Sequence, residues 1–265
     1  MNALALELRR NRSLTVALAI TLAGYGAIMG LMYPFMKANS DMMEQYLKVM
    51  PREFLAAFGM TGVLSDPGVF FTTYISSWLW PIIAAAAGLL AGTRTVALDL
   101  DRGFLDLPLS TRVSRVRYLG ASIAAQVLVM AVLAASCVFS LWAVGRLVGA
   151  EFDLVGFAMA GVLSFAFGCA IAGPATLISV LTLSRGTSSA IVGGALVAMY
   201  AVFVVTQVSK DWAWLAPLTA WSHFPTTAII DDGVLPIGDF ALFTAIAIAG
   251  WVGAVVAFRR RDLAA

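Results

Sequence analysis

The sequence predicts an all-α polytopic membrane protein with six transmembrane helices and with both termini in the cytoplasm. Only 12% of the 265 residues are charged, whereas 61% are hydrophobic, and the mean hydropathy is +0.90. A soluble domain of this size carries about a quarter charged residues, because it must cover its core with a hydrated surface. Lipid is therefore the expected solvent, and residues 1–265 are predicted to form a single transmembrane domain.

The helices are predicted from runs that contain no Asp, Glu, Lys or Arg. Each run reaches the ~20 residues that cross a ~30 Å hydrocarbon layer at 1.5 Å per residue. The predicted spans are residues 13–35, 71–93, 118–144, 154–183, 188–208 and 240–258. An even number of spans puts both termini on one side. The fourth span contains Gly173 and Pro174, so we expect it to bend, tilt or project beyond the bilayer.

The orientation follows from the distribution of positive charge, because Lys and Arg are enriched in cytoplasmic connections. Twelve of the 17 Lys and Arg residues flank one side of the predicted bundle, including the N-terminus, the connection 94–117 and the C-terminus. The other five are Lys37, Lys48, Arg52, Arg146 and Lys210. The net charge of +2 thus reflects topology, and nucleic acid is not implied as a partner.

Small residues recur at the spacing that lets helix backbones approach closely in lipid. The pairs are Gly26 with Gly30, Gly88 with Gly92, and Gly250 with Ala254. Packing within the chain and a dedicated dimer face are both compatible with this pattern, and packing within the chain is the simpler interpretation.

The predicted spans contain no Asp, Glu, Lys, Arg or His, which disfavours a proton-coupled carrier or pump. The sequence also has no phosphate-binding glycine loop with its lysine, no H-E-x-x-H and no G-x-S-x-G motif. Its one histidine, His223, and its two cysteines, Cys137 and Cys169, suggest no metal site. We expect no catalytic site, cofactor or metal on this chain, so any nucleotide must bind to another subunit.

The connection 94–117 is the richest predicted cytoplasmic segment. Leu98, Leu105 and Leu109 could line one face if the second helix continues beyond the membrane and breaks near Gly103 and Pro108. The alternative is a solvated loop whose arginines only set the topology. Composition alone leaves both interpretations open.

This segment resembles the permease subunits of type-2 ABC exporters. Those proteins end the second span in acidic-x-Gly-x-Leu-acidic-x-Leu-Leu-Ser-Thr-Pro-Val-Ser-Arg. The chain reads Asp101-Arg102-Gly103-Phe104-Leu105-Asp106-Leu107-Pro108-Leu109-Ser110-Thr111-Arg112-Val113-Ser114-Arg115. Pro108 stands where the family usually has Leu, and Arg112 stands where it usually has Pro, so the helix break is expected to be displaced by a few residues.

The resemblance extends over essentially the whole chain. Residues 7–13 resemble an amphipathic helix that lies on the inner membrane surface before the first span. Residues 51–59 with 65–68 are similar to the family's first external segment, and residues 258–263 to its C-terminal ending. Residues 209–238, which contain Trp212, Trp214 and Trp221, are similar to a pair of short external re-entrant helices; the alternative is an interfacial loop with aromatic anchors.

The resemblance implies a multi-pass subunit of an ABC exporter in the cell's inner (plasma) membrane. The expected partners are ABC ATPase subunits, which bind ATP and Mg, a second permease chain, identical or homologous, and membrane lipid. The substrate would be apolar or amphipathic, such as a drug, a lipid or a lipid-linked glycan. The implied coupling and docking residues are Asp101, Gly103, Leu105, Asp106, Ser110, Arg112 and Arg115. The alternative function is a non-transporting assembly or anchoring protein that recruits a soluble partner through residues 94–117.

Overall fold

The computed structural model describes residues 3–51, 55, 66–72, 79–95, 115–150 and 154–260. The α-helices are α1 (Ala3–Ala38), α2 (Ser40–Val49), α3 (Pro67–Phe71), α4 (Leu79–Thr93), α5 (Arg115–Val148), α6 (Leu154–Thr182), α7 (Arg185–Val208), α8 (Thr226–Asp232) and α9 (Ile237–Arg260). Two 3₁₀ helices, Lys210–Leu218 and Ala220–His223, connect α7 to α8. No strand occurs within this part of the chain.

Five of these helices, α1, α5, α6, α7 and α9, are long and apolar enough to cross a membrane. The prediction of an all-α polytopic membrane protein is therefore confirmed at the level of class. Helix α4 is apolar but has only 15 residues. The predicted second span also includes residues 73–78, which lie outside the described residues, so six spans stay a prediction.

Helix α6 lies at the centre of the bundle. It contacts α4, α5, α7, α8 and α9, while α1 lies along α5. In the most apolar 18-residue stretch of α6, 67% of the residues are buried. Phe157, Leu163 and Phe167 are completely buried. Pro174 lies inside this helix, which continues for 29 residues.

Glycines bring both α4 and α9 into close contact with the same stretch of α6, residues 168–176. A Cβ atom on Gly88 would lie 2.5 Å from the carbonyl oxygen of Gly168, and one on Gly92 would lie 2.5 Å from the Cβ atom of Ala175. On the α9 side, a Cβ on Gly173 would collide with the Ala247 backbone. Larger side chains at these positions would therefore push the helices apart.

Gly250 of α9 also lies against α6, where a Cβ atom would collide with the backbone of Gly173, and the other two predicted packing glycines lie in α1. Gly26 and Gly30 are both buried. A Cβ on Gly30 would overlap the side chain of Val144 in α5. Among the described residues, the predicted glycine pairs thus face neighbouring helices of the same chain.

Six helix termini meet at one end of the bundle: the starts of α1, α5 and α7 and the ends of α4, α6 and α9. Tyr118 in α5 contacts the ring of Phe258 in α9 with centroids 6.4 Å apart. Ser189 in α7 donates a hydrogen bond to Thr93 of α4 at 3.3 Å. We call this end the basic end because its described arginines are Arg9, Arg10, Arg12, Arg94, Arg115, Arg117, Arg185, Arg259 and Arg260. Its location in the cytoplasm stays a prediction.

The predicted N-terminal amphipathic helix is not a separate element. Helix α1 runs without a break from Ala3 to Ala38, so residues 7–13 are the first turns of the first apolar helix. Glu7 is only 4% exposed and pairs with Arg10 at 3.5 Å, and Arg10 also donates a hydrogen bond to the carbonyl of Arg94 at 2.8 Å. These contacts hold the segment against the bundle, and it contains no glycine or proline that would end a helix.

Several helices begin or end beyond the charge-free runs that predicted them. Helix α5 begins at Arg115, three residues before the predicted span, and α9 ends at Arg260, two residues after it. Arginine is a good helix former, and its long side chain can keep the guanidinium in water while the stem lies along apolar surface. A prediction that ends each span at the first charged residue therefore underestimates the length of such helices.

Candidate functional site: a buried polar cluster at the end of α4

Hydrogen bonds from four other helices, α1, α5, α6 and α7, converge on the last turn of α4 and the two residues after it. The end of an α-helix leaves carbonyl groups without partners inside the helix, and these groups are costly in an apolar environment. In α4 these carbonyls belong to the final turn, just before residues 96–114. Side chains of neighbouring helices donate the missing hydrogen bonds. Those helices therefore need polar residues opposite the end of α4.

Gln126 of α5 is the centre of this cluster and is only 2% exposed. Its Nε2 donates to the Oγ1 of Thr95 at 2.8 Å, and its Oε1 accepts from Trp251 Nε1 at 2.9 Å. The hydroxyl of Thr176 lies 3.1 Å from the same Oε1. Because an indole N–H can only donate, the contact with Trp251 fixes which side of the amide faces α9. One side chain thus joins α4, α5, α6 and α9.

Carbonyl groups at the last residue of α4 and just after it accept further hydrogen bonds from neighbouring helices. Ser179 in α6 donates to the carbonyl of Thr93 at 3.2 Å, and Tyr118 in α5 donates to that of Thr95 at 2.9 Å. The carbonyl of Arg94 accepts from Arg10 in α1, as described above. Thr93, Thr95, Thr176 and Ser179 are at most 3% exposed. The chain is therefore anchored on several sides where it enters residues 96–114.

We define the polar cluster as Thr93, Thr95, Gln126, Thr176, Ser179 and Trp251. None of these side chains ionises near neutral pH, so the cluster can position helices but offers no acid or base. Among the residues that the structure describes, no three His, Cys, Asp or Glu side chains are arranged to hold a metal. Cys137 and Cys169 are buried free thiols.

The predicted coupling residues stand next to this cluster in the sequence. Asp101, Gly103, Leu105, Asp106, Ser110 and Arg112 lie outside the described residues. Arg115 is the first residue of α5. Thr95 and Tyr118, which lie before and after residues 96–114, are joined by the hydrogen bond from Tyr118. The described residues on the two sides of 96–114 therefore lie close together.

The predicted external segment 209–238 forms the two 3₁₀ helices, α8 and the start of α9. Trp221 is 8% exposed and contacts the rings of Phe167 in α6 and Tyr200 in α7, at centroid distances of 5.6 and 5.3 Å. Trp212 and Trp214 are 50% and 67% exposed. The segment thus has one tryptophan in the core and two on the surface, and both interpretations, re-entrant helices and an interfacial loop with aromatic anchors, stay predictions.

His223 in this segment is held by two acceptors. Its Nδ1 lies 2.8 Å from Asp239 Oδ1, and its Nε2 lies 3.0 Å from the carbonyl oxygen of Pro217. Partial burial lowers the pKa of His223, but the hydrogen bonds to Pro217 and Asp239 and the charge of Asp239 outweigh it, so the pKa is raised. The protonated form, with both ring nitrogens as donors, suits this geometry.

Sequence reasoning did not find the polar cluster. Gln126 interrupts an apolar run with the only amide of its predicted span, and a strongly polar side chain at membrane depth usually faces another helix. That signal could have identified Gln126. Its partners Thr176 and Trp251 could not have been identified, because threonine and tryptophan occur in apolar helices for many reasons.

The helices and the cluster define a class: a multi-pass α-helical membrane protein with a neutral polar connection across its helices. No family model matches the chain, and no curated protein sequence matches it significantly. The assignment of a function therefore depends on the residues themselves.

Proposed function

We propose that this chain is the membrane-spanning subunit of an ATP-driven exporter and resembles the permeases of type-2 ABC exporters. The observation that carries the proposal is the anchored end of α4. The motif from Asp101 to Arg115 follows this end directly in the sequence, and the polar cluster links the same end to α5, α6 and α9. A force applied to the motif would reach all four helices through Gln126.

In this proposal, ATPase subunits dock on the motif and supply the nucleotide chemistry. Asp106 and Arg115 are the polar contacts that we assign to the docked ATPase, and Gly103 allows the chain to turn there. A second permease chain would pack against the open surfaces of the bundle. Helices α1 and α7 offer such surfaces, since only 17% and 11% of the residues in their most apolar stretches are buried. The membrane would be the inner (plasma) membrane, with the basic end in the cytoplasm.

The substrate of the proposed exporter is apolar or amphipathic. The charge-free runs of the spanning helices offer no counter-ion within the membrane for a charged substrate. Phe, Met and Trp side chains supply the apolar contacts instead. A drug, a lipid and a lipid-linked glycan all fit this description.

The test compares two charge reversals in the full-length protein purified from its native membrane. Asp106→Arg should reduce co-purification of the ATPase and the linked ATP hydrolysis, because it inverts a charge at the assigned docking site. Asp231→Arg, on the predicted external face, should preserve both. Both variants should reach the membrane at normal levels, since neither lies in a predicted span.

Two results would contradict the proposal. If no ATPase co-purifies with the unaltered protein but another soluble protein does, the anchoring function is correct. If Asp231→Arg releases the ATPase and Asp106→Arg retains it, the docking site lies on the opposite face.

A further inference from the structure

A groove of about 320 Å³ opens between α1 and α5 near the basic end. Its walls are mostly apolar, with Arg9 and Arg12 as the charged members. The lining residues are Leu8, Arg9, Arg12, Thr15, Val16, Leu128, Val129 and Val132. At 1.5 Å per residue, the two arginines lie roughly 6–10 Å closer to the start of α1 than Val16 does. The groove therefore has a cationic mouth and an apolar floor.

The charge at the mouth is available for a ligand. Arg9 and Arg12 are exposed, and neither forms an ion pair with a carboxylate among the described residues. Arg10 lies between them in sequence but on another face of the helix, where it contacts Glu7 and the carbonyl of Arg94. Helical spacing thus separates two arginines that line the groove from one that holds the bundle together.

The floor of the groove lies at the depth of the hydrocarbon. Val16, Leu128 and Val132 belong to charge-free runs of the sequence and are 47%, 43% and 49% exposed. Arg12 is the last charged residue before the run that begins at residue 13. Charged side chains at such positions lie at the membrane surface. The mouth is therefore at the headgroup level and the floor beside the acyl chains.

We propose that this groove binds one anionic phospholipid. Arg9 and Arg12 hold the phosphate, because guanidinium groups match phosphate oxygens with paired hydrogen bonds. One acyl chain lies along Val16, Leu128 and Val132. A zwitterionic lipid carries its own cation next to the phosphate, which two arginines repel. Free phosphate would leave the apolar floor unused. The proposal does not depend on the exporter function.

The first test measures binding of a fluorescent phosphatidylglycerol to the purified full-length protein in detergent. The double variant Arg9→Gln, Arg12→Gln should bind it on the order of tenfold more weakly, since each cation near an anionic lipid contributes measurably to attraction. The matched control is Arg259→Gln, Arg260→Gln, which removes the same charge from the exposed end of α9. The control should bind normally. An equal loss in both variants would overturn the proposal in favour of general surface attraction.

The second test separates the lipid from a simple anion. Val132→Phe should fill the floor and weaken phosphatidylglycerol binding several-fold, whereas Val197→Phe, on the exposed surface of α7, should not. Millimolar inorganic phosphate should fail to displace the lipid, and phosphatidylcholine should bind more weakly. The proposal is wrong if Val132→Phe binds normally, if phosphate displaces the lipid, or if phosphatidylcholine binds equally well.

Discussion

The apolar stretches of α6 and α7 are equally hydrophobic but have opposite environments. In α6, 67% of the residues in that stretch are buried, whereas in α7 only 11% are. Glycines account for much of the contrast. Those of α6 at positions 156, 161, 168 and 173 meet neighbouring atoms at once, while Gly186 and Gly194 of α7 have open space around them. The hydropathy of a helix thus indicates that it lies in a membrane. The atoms around its glycines show how closely neighbouring helices pack against it.

The largest expected effect on stability is at Trp221, whose ring packs between α7 and α6. Trp221 contacts Tyr200 of α7 on one side and Phe167 of α6 on the other. Trp221→Ala should reduce the free energy of unfolding by roughly 3–5 kcal/mol, because it empties a filled aromatic site. Trp214→Ala, at a tryptophan that is 67% exposed, should change it little. Thermal unfolding in detergent measures both, and equal effects would show that Trp221 does not join the two helices.

A smaller effect should separate the glycines of the two helices. Gly173→Ala places a methyl group against the backbone of Ala247, so stability should fall by about 1–3 kcal/mol. Gly194→Ala adds a methyl group in open space and should be neutral or slightly stabilising. The same unfolding assay checks the pair. Comparable losses would mean that α7 is covered by a partner as closely as α6 is covered by its neighbours.

The smallest of the three effects concerns polar contacts. Gln126→Leu removes the acceptor of Trp251 and the donor to Thr95, and interhelical hydrogen bonds in membranes are worth about 0.6–2 kcal/mol each. We expect a loss of roughly 1–2 kcal/mol. Gln207→Leu, at an exposed amide of α7, is the control and should cost almost nothing. If the two leucine variants unfold at the same temperature, the polar cluster contributes nothing to holding the helices.

The sequence allowed the helices to be predicted better than their contacts. Long apolar runs have few alternatives in lipid, so α5, α6, α7 and α9 could be anticipated within a few residues. The start of α1 could not, because an amphipathic segment suits a membrane surface as well as a helix extension. Only the contacts of Glu7 and Arg10 with the bundle distinguish these two outcomes.

The candidate site also has one part that the sequence suggested and another part that only the structure revealed. The motif from Asp101 to Arg115 was predicted from its residue order, and its role in docking stays a prediction. The polar cluster required the structure, because its hydrogen-bonded members are separated by up to 125 positions along the chain. No local sequence pattern indicates which threonine will lie next to which side-chain amide in the folded chain. A lone glutamine within an apolar span was the one sign that sequence reasoning could have used.

The connection between α6 and α7 consists only of Leu183 and Ser184. Leu183 has a positive φ of 52°, and the Ser184 side chain accepts a hydrogen bond from the Thr187 N–H at 3.3 Å, so the turn is tight and capped. Two residues span at most about 7 Å, which leaves the start of α7 almost no freedom to translate. The far end of this 24-residue helix lies about 36 Å away. A tilt of about 10° around the turn would therefore move that far end by roughly 6 Å while the turn itself stayed in place. The turn therefore fixes the position of one end of α7, and the length of the helix determines how far any tilt displaces the other end.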